Sequence, residues 1–228
     1  EIAQALGTDR FLREIEVTGR LHHPGLIPQL DSGEAAGCPW FTMPYVAGES
    51  LRDRLRRDVQ LPLPEVLRIA REVADALAYA HQHDIVHRDV KPENILLEDG
   101  RAVVSDFGLA KALTAAGGKK LTDTGITVGT PVYMSPEQAA GKKGLDARSD
   151  IYSLATVLYE MLAGDPPFTG ATPQAILARK LAEPVPPLRT VRPDVPPELQ
   201  RVIERGLSRA PGDRHTTVEA FVAALESR

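Results

Sequence analysis

The pattern of apolar residues divides this chain into two parts. The first part is short and combines a helical period with two strand-like runs. In residues 9–21, apolar side chains fall three or four positions apart, which predicts a helix. Residues 26–31 and 39–46 are short apolar runs that predict two strands, joined by a turn region around Gly33 and Gly37. The first part is therefore expected to hold one helix and a small sheet.

The second part of the chain has the longer and stronger helical pattern. Residues 64–83 carry apolar side chains at every third or fourth position, which predicts a helix with one buried face. The predicted buried positions are Val66, Ile69, Ala70, Val73 and Leu77. Apolar pieces at 95–97 and 102–104, around Glu98-Asp99-Gly100, predict a small hairpin. Further helices are predicted at 51–58, 149–163, 173–182, 196–208 and 215–226.

A small sheet followed mostly by helix is an α+β layout. Residues 107–137 interrupt it, because they are rich in glycine and threonine and have no clear period. A loop of that length inside a compact domain usually carries function. The helix at 51–58 contains the charged run 52–57, which by itself is typical of a solvated helix face.

Composition narrows the class of protein. The 228 residues include 27 basic and 31 acidic ones, a net charge of −4, which argues against a nucleic-acid-binding protein. The single cysteine, Cys38, excludes an intrachain disulfide and a cysteine-based zinc site. No apolar run approaches the roughly 18 residues that a membrane helix needs, so no membrane contact by this segment is expected. A soluble, cytoplasmic domain is the expectation.

Candidate chemistry lies in residues 87–94 and in the Asp-Phe-Gly triplet that begins at Asp106, twelve residues after Asn94. Phosphoryl transfer needs an oriented nucleophile and metal ions that neutralise phosphate charge. Asp89 can accept the proton of a hydroxyl, and Lys91 can lie beside the transferred phosphate. Asn94 and Asp106 offer the oxygens that Mg²⁺ prefers. Each residue alone has an ordinary surface interpretation, but their conjunction at this spacing favours the catalytic one.

Later motifs extend this pattern into a family resemblance. Ser135-Pro136-Glu137 stands where the family named below has an Ala-Pro-Glu triplet. Residues 129–137 form a candidate segment for docking of a substrate. Residues 149–154 resemble the start of the family's central helix. The chain resembles the bacterial members of the eukaryotic-type serine/threonine protein kinases over essentially all of its length. The resemblance implies a protein-kinase-like α+β fold, with a mostly helical large lobe and a truncated small lobe of one helix and two strands.

The resemblance also implies the domain boundaries. Residues 1–46 would be the partial small lobe with the hinge at its end, and residues 47–228 the large catalytic lobe with the activation segment at 106–137. No glycine-rich phosphate loop and no strand lysine occur ahead of residue 9. The chain is therefore expected to lack the first strands of the family and to be weakly active or inactive as it stands.

ATP and Mg²⁺ are the cofactors that the resemblance implies, with Mn²⁺ as a substitute. The implied nucleotide-binding residues are Met43, Pro44, Val46, Leu96 and Glu14. Pro44 is tolerable because backbone groups hold adenine, so its carbonyl and the Val46 N–H suffice. By pattern alone, Met43 and Leu96 are equally well explained as core residues. Glu14 would pair with the lysine that this sequence does not contain, and Glu16 is a weaker candidate for that role.

Three residues have structural roles by resemblance. Asp150 is expected to anchor the backbone of the catalytic loop, and Glu137 is expected to pair with Arg214. For Glu137 and Arg214, the role implied by the family and the ordinary explanation agree, because both describe a structural ion pair.

The choice of acceptor and its regulation by phosphorylation are assigned to residues of the catalytic motif and of the loop at 107–137. Lys91 and the docking residue Thr130 resemble the serine/threonine pattern, so protein Ser/Thr hydroxyls are the expected acceptors. Thr122 and Thr124 are the expected autophosphorylation sites, and Thr127 is a weaker candidate. A phosphate there can order the loop against arginine, with Arg88 as receiver and Lys111 as a second cation. A transient homodimer would allow phosphorylation in trans.

Two alternatives stay open at this point. A small-molecule phosphotransferase would use similar metal and base residues but has little use for the docking segment at 129–137. A pseudokinase-like binding scaffold would be indicated by loss of Asp89, Asn94 or Asp106, and all three are present. The chain is also compatible with being the cytoplasmic domain of a larger membrane-anchored protein.

Overall fold

The computed structural model describes residue 16 and residues 18–35, 38–107, 131–142 and 144–227. Of the predicted helix at 9–21, Glu16 and Thr18 are helical, and the rest of that range is mostly outside the described residues. Several sequence predictions also lie outside them, namely those on Glu14, Lys111, Thr122, Thr124, Thr127 and Thr130.

Two antiparallel strands, β1 (Asp31–Ala35) and β2 (Cys38–Thr42), form the first sheet. Gly33 lies opposite Trp40 in this pair. A Cβ atom at Gly33 would come within 2.8 Å of the indole ring, so only glycine lets the ring lie across the neighbouring strand. Gly33 is therefore a strand residue, and the prediction that it belongs to the turn is wrong.

The predicted strand at 26–31 is wrong in its bounds. Leu26 makes an isolated bridge to Val104, and the Ile27 N–H donates to the Val104 carbonyl over 3.0 Å. Pro28 follows and has no N–H, so the pairing does not continue along this stretch. Regular pairing starts only at Asp31.

The predicted strand at 39–46 is also too long, since β2 ends at Thr42. Pro44 again removes a backbone donor, which is a physical reason for the ladder to stop there. Residues 43–47 form an irregular connection instead.

The second sheet has the order β3 (Glu49–Ser50), β4 (Ile95–Glu98), β5 (Arg101–Val104), with antiparallel neighbours. The predicted hairpin is thus confirmed, although Glu98 is the last residue of β4 and pairs with Arg101 instead of lying between the strands. Its two-residue turn is Asp99-Gly100, with φ values of 48° and 79°. Both turn positions need positive φ to match the twist of the strands, and aspartate and glycine tolerate it.

Helices make up about half of the remaining described residues. In chain order they are α1 (Leu51–Asp58), α2 (Leu63–Gln82), α3 (Pro136–Ala139), α4 (Arg148–Ala163), α5 (Pro173–Ala182), α6 (Leu188–Val191), α7 (Pro197–Gly206) and α8 (Val218–Glu226). Short 3-10 turns occupy Pro92–Asn94 and Pro211–Asp213. The long helices confirm the periodicity predictions, whereas α3 and α6 are single turns too short to show a period.

Helix α4 is the centre of the helical part. Every residue from Ser149 to Leu162 is buried, and α2, α6, α7 and α8 pack around it. The predicted face of α2 is buried as expected, at Val66, Ile69, Ala70, Val73 and Leu77. Each of the valine, isoleucine and leucine side chains contributes about 1.5–3 kcal/mol when fully buried. The α+β layout is confirmed, and within the described residues no helix has the length and apolar character to cross a membrane.

A buried ion pair ties α3 to the segment that follows α7. Arg214 donates from Nη1 to Glu137 Oε1 over 2.7 Å and from Nη2 to Oε2 over 2.8 Å. Both side chains are buried, and Ser149 Oγ donates to the same carboxylate. Burial raises the pKa of the Glu137 carboxyl, but the hydrogen bonds and charge of Arg214 outweigh it, so that the pKa lies below its ordinary value. The carboxylate therefore stays ionised inside the protein.

We predict that Arg214→Met lowers the free energy of unfolding by about 3–5 kcal/mol at pH 7.5, because it leaves a buried carboxylate unpaired. Without Arg214, the strongest influences that lower the Glu137 pKa are lost while burial remains, so we expect this pKa to rise above its value in the unfolded chain. The folded variant would then bind a proton more readily, and part of the loss should be recovered between pH 7.5 and pH 5.5. Urea unfolding of variant and wild type at both pH values measures this difference.

The matched control is Arg201→Met, which removes an exposed ion pair with Glu198. Such pairs contribute about 0–1 kcal/mol, so the control should differ little from wild type at either pH. Equal losses in both variants, or no recovery of Arg214→Met at low pH, would contradict the prediction.

Candidate active site

Three candidate catalytic residues form one hydrogen-bonded cluster in the loop between α2 and β4. The Lys91 ammonium donates to Asp89 Oδ2 over 2.6 Å. The Asn94 amide nitrogen donates to the Asp89 carbonyl over 2.9 Å and to Oδ2 over 3.1 Å. The 3-10 turn at Pro92–Asn94 reverses the chain, which brings Asn94 back to Asp89. Two donors on the same oxygen, Oδ2, therefore hold the Asp89 carboxylate in place.

The β4–β5 hairpin brings Asp106 to the same place. Ile95 pairs with Val104 at the open end of the hairpin, so the residues just beyond this pair are neighbours. The Ser105 N–H donates to the Asn94 carbonyl over 2.9 Å, and Asp106 follows directly. One backbone hydrogen bond between Ser105 and Asn94 thus keeps Asp106 near Asn94, twelve positions earlier in the chain.

The backbone at this site is strained at two positions. Arg88 has a φ of 69° and Asp106 a φ of 62°, in the left-handed region that side chains with a Cβ rarely adopt. Such residues cost about 1–3 kcal/mol each and persist only where their surroundings hold them. Gln138 of α3 is one such contact, since its amide nitrogen donates to the Arg88 carbonyl.

Asp150 is the main anchor of the catalytic loop. Its carboxylate accepts from the His87 N–H over 2.9 Å and from the Arg88 N–H over 2.8 Å. The ring of His81 contacts Oδ2 at 2.8 Å. Asp150 is fully buried in the first turn of α4, where the helix dipole also favours a negative charge. The loop that carries Asp89 is therefore attached to the central helix.

His87 connects the catalytic loop with the segment after β5, a role that sequence reasoning missed. One ring nitrogen lies 2.9 Å from the Ser105 carbonyl, and the other accepts from the Asp89 N–H over 3.2 Å. The ring also packs on Phe107, with centroids 4.3 Å apart. Because His87 is fully buried, it acts as a brace between the two halves of the site. Its place in the motif is visible in the sequence, but its contacts are not.

The predicted nucleotide-binding residues are spread over the connection after β2 and over β4. Met43 lines a small cavity together with Leu21, Phe41, Asp106 and Phe107, so the structure brings Met43 and Asp106 to a common space. Pro44 is exposed and Val46 is half-buried, with its carbonyl accepting from the Gly48 N–H. Leu96 is half-buried in β4, opposite Val103 and Ser50, and lies outside the lining of that cavity.

The contacts of Arg52 show that the prediction of a solvated face at residues 52–57 is wrong at this position. Its guanidinium donates to Glu160 over 2.7 Å and to Glu93 over 2.8 Å, and it also contacts the Tyr133 hydroxyl. Tyr133 in turn donates to Glu160 over 2.6 Å. Burial lowers the pKa of Arg52, but the two carboxylates outweigh it and raise the pKa overall. The charged run does remain exposed at Arg56, on another side of α1.

This Arg52 cluster joins four parts of the molecule that are distant in sequence. Arg52 belongs to α1, Glu93 to the catalytic loop, Tyr133 to the docking segment and Glu160 to α4. Burial, together with the Glu160 carboxylate, raises the pKa of the Tyr133 hydroxyl, which stays protonated and able to donate. The docking segment is therefore held beside the catalytic loop.

Comparison with known proteins shows the family of this chain. The sequence matches the protein kinase domain family over residues 2–224. It is 43% identical over 222 residues to the serine/threonine-protein kinase PknB of Mycolicibacterium smegmatis, covering 95% of this chain and 35% of that protein. It is 46% identical over 198 residues to the DNA damage-responsive serine/threonine-protein kinase RqkA of Deinococcus radiodurans, covering 85% of this chain and 29% of that protein.

Solved structures show the same similarity. The Mycobacterium tuberculosis PknI kinase domain has a TM-score of 0.74 with 34% identity, over 97% of this chain and 81% of that one. The chain spans about a third of the length of the curated relatives above. The fold predicted from the motifs is therefore confirmed by sequence and by structure.

We predict that Asp150→Asn loosens the catalytic loop, because an amide offers one acceptor oxygen where the carboxylate accepts from three groups. Loss of hydrogen bonds to a charged, buried acceptor should lower the free energy of unfolding by about 1.5–3 kcal/mol. Hydrogen exchange of the His87 and Arg88 amides should also become faster. Asp146→Asn, at an exposed aspartate near the start of the same helix, is the control. Unchanged exchange at residues 87 and 88 would contradict the anchoring role.

Proposed function

We propose a function for this chain on the premise that it belongs to the protein kinase domain family. The proposed reaction is transfer of the γ-phosphate of ATP to serine and threonine hydroxyls of proteins. The observation that carries it is the cluster of Asp89, Lys91 and Asn94, joined to Asp106 through the Ser105–Asn94 hydrogen bond. The names of the relatives, which are serine/threonine-protein kinases, support the acceptor class.

Asp89 has the central role in the proposed step. Its carboxylate orients the acceptor hydroxyl and takes its proton while the hydroxyl oxygen bonds to phosphorus and the bond from phosphorus to the bridging oxygen of ADP breaks. Lys91, in contact with Asp89, brings positive charge to the transferred phosphate. Positioning of this kind supplies much of the catalysis, since the protein has little covalent chemistry to do.

The residues present fit a magnesium ion. Both hydrogen bonds that the structure shows for the Asn94 side chain use its nitrogen, which leaves the amide oxygen as the atom to meet a cation. We propose that Asn94 and Asp106 hold the ion. Among the described residues, no group of three or more His, Cys, Asp or Glu side chains is placed to bind a metal. When bound, Mg²⁺ or Mn²⁺ would neutralise phosphate charge.

The proposed nucleotide contacts come from the connection after β2. Backbone groups of Pro44 and Val46 would hold adenine, with Met43 and Leu96 as apolar contacts, and Glu14 would pair with a lysine. The 228 residues contain neither that lysine nor a glycine-rich loop. We therefore propose that they catalyse slowly by themselves. A pseudokinase-like binding scaffold is the alternative that this feature favours.

Regulation by autophosphorylation is the next part of the proposal. Arg88 Nε is buried and has no hydrogen-bond partner among the described residues, which supports its role as receiver of a phosphate on Thr122 or Thr124. Thr130 and the docking segment would contact the acceptor protein. A transient homodimer would present one chain's threonines to the other's Asp89.

We predict that Asp89→Asn lowers autophosphorylation at least about 100-fold, since removal of a general base typically costs 10²–10⁴-fold in rate. The measurement is mass spectrometry of phosphate on Thr122 and Thr124 after incubation with Mg-ATP. It uses a version of the chain that carries a glycine-rich loop and a strand lysine ahead of residue 1.

Asp84→Asn is the matched control, because Asp84 is exposed on the same loop and, like asparagine, tolerates its positive φ. It should keep wild-type phosphorylation. Phosphate on the threonines with Asp89 intact supports the kinase proposal. No phosphate in any folded version, on these residues or on a generic acceptor protein, favours the scaffold.

We also predict that the 228 residues alone phosphorylate an acceptor at least about 100-fold more slowly than that extended version, because elements that position the nucleotide are lacking. Initial rates of phosphate transfer to myelin basic protein measure the ratio. Asp89→Asn in both forms gives the background rate. Equal rates for the two forms would overturn the proposal that the missing elements limit turnover.

A further inference from the structure

Lys180 is a buried lysine for which the proposed reaction has no use. Only 2% of the residue is exposed, and it is among the largest fully buried side chains. Among the described residues, no carboxylate forms an ion pair with it, although its neighbour Arg179 pairs with Glu183. Lysine is almost never fully buried without such a pair. Its position therefore requires a specific explanation.

The geometry of α5 shows why Lys180 points inward. The buried residues of this helix are Ile176 and Lys180, one turn apart on the same face. That face packs against α3, which carries the end of the docking segment. An apolar residue would be expected at position 180, since it would continue the face that Ile176 begins.

Within the part of the chain that the structure describes, the ammonium end of Lys180 makes one close polar contact. Its Nζ donates to the Met134 carbonyl over 2.6 Å. Met134 belongs to the docking segment, between Tyr133 and Ser135. Nζ also lies 5.2 Å from the centre of the Tyr152 ring of α4, a cation–π distance. The Lys180 side chain thus connects α5, the docking segment and α4.

The energetics argue that this contact is retained for something other than stability. Burial alone lowers the pKa of Lys180 to about 7, so the ammonium form is disfavoured inside the protein. Replacement of buried charged groups by apolar residues of similar volume is often neutral or stabilising. A lysine at this position therefore makes the fold less stable than an apolar residue would. It does, however, supply an N–H donor to the Met134 carbonyl.

We propose that Lys180 is a positioning residue for the acceptor protein, fixing the backbone of the docking segment at Met134 from the α5 side. The Arg52 cluster holds the same segment one residue earlier, through the Tyr133 hydroxyl. The proposal rests on the proposed kinase function as far as the acceptor is concerned. The link between Lys180 and the conformation of the docking segment does not depend on it.

The test compares Lys180→Met with wild type in the version extended by a glycine-rich loop and strand lysine. Methionine keeps the apolar stem and most of the volume but has no donor. We expect the KM for myelin basic protein to rise roughly tenfold, because one buried hydrogen bond to the docking segment is lost. The KM for ATP, the rate of ATP hydrolysis without acceptor, and the melting temperature should stay near wild type.

Two further variants separate positioning from a merely structural role. Lys180→Arg retains a donor and should recover most of the affinity for the acceptor. Arg179→Met removes the neighbouring half-buried charge, whose contacts to Glu183 and the Thr169 carbonyl do not involve the docking segment, and should behave as wild type. A fall in melting temperature with equal loss in all kinetic constants would overturn the proposal, as would an unchanged KM for the acceptor.

Hydrogen exchange of the peptide covering residues 132–139 gives a readout that needs no catalysis. It should be at least about fivefold faster in Lys180→Met than in Arg179→Met, because one anchoring hydrogen bond is gone. If wild type transfers no phosphate but this difference is present, the kinase proposal fails and the positioning of the segment stands. If wild type is active and the exchange rates are equal, the positioning proposal alone fails.

Discussion

The buried carboxylate of Asp150 is the constraint on which the rest of the site depends. It accepts the backbone N–H groups of His87 and Arg88, 63 and 62 residues earlier in the chain, and so compensates the strained backbone at Arg88. A carboxylate is well suited to this, because two oxygens can satisfy several donors and the start of a helix favours its charge. The position of Asp89 relative to the central helix follows from these bonds.

Helix α4 extends the same principle along its length. It is buried on all sides and yet carries polar side chains whose hydrogen bonds lead outward to loops. Ser149 reaches Glu137, Ser153 reaches the Tyr133 carbonyl and Glu160 reaches Arg52. Buried polar groups are costly unless they are satisfied, so each of these contacts specifies where a loop must lie. The helix therefore acts as a common attachment for the catalytic loop and the docking segment.

Part of the fold and of the candidate site could be predicted from the sequence. A prediction was correct where the cause of the structure lies within a few neighbouring residues. The turn at Asp99-Gly100 and the long helices were predictable because their causes lie within a few residues. The strands near residues 26 and 46 were misplaced, since a proline can stop a ladder without changing the apolar pattern. The helices α3 and α6 gave no signal because a single turn has no period. The order of motifs around Asp89 and Asp106 was enough to indicate the family.

The sequence by itself determined which chemical groups the site contains, the helices and hairpin that carry them, and the family to which they belong. Only the tertiary structure decided which charges are buried and what they bind. Arg52 and Lys180 both look like surface charges in sequence, but one meets Glu160, 108 residues away, and the other meets the carbonyl of Met134. Burial and hydrogen bonding depend on distances in space between segments far apart in the chain, and no local pattern records them.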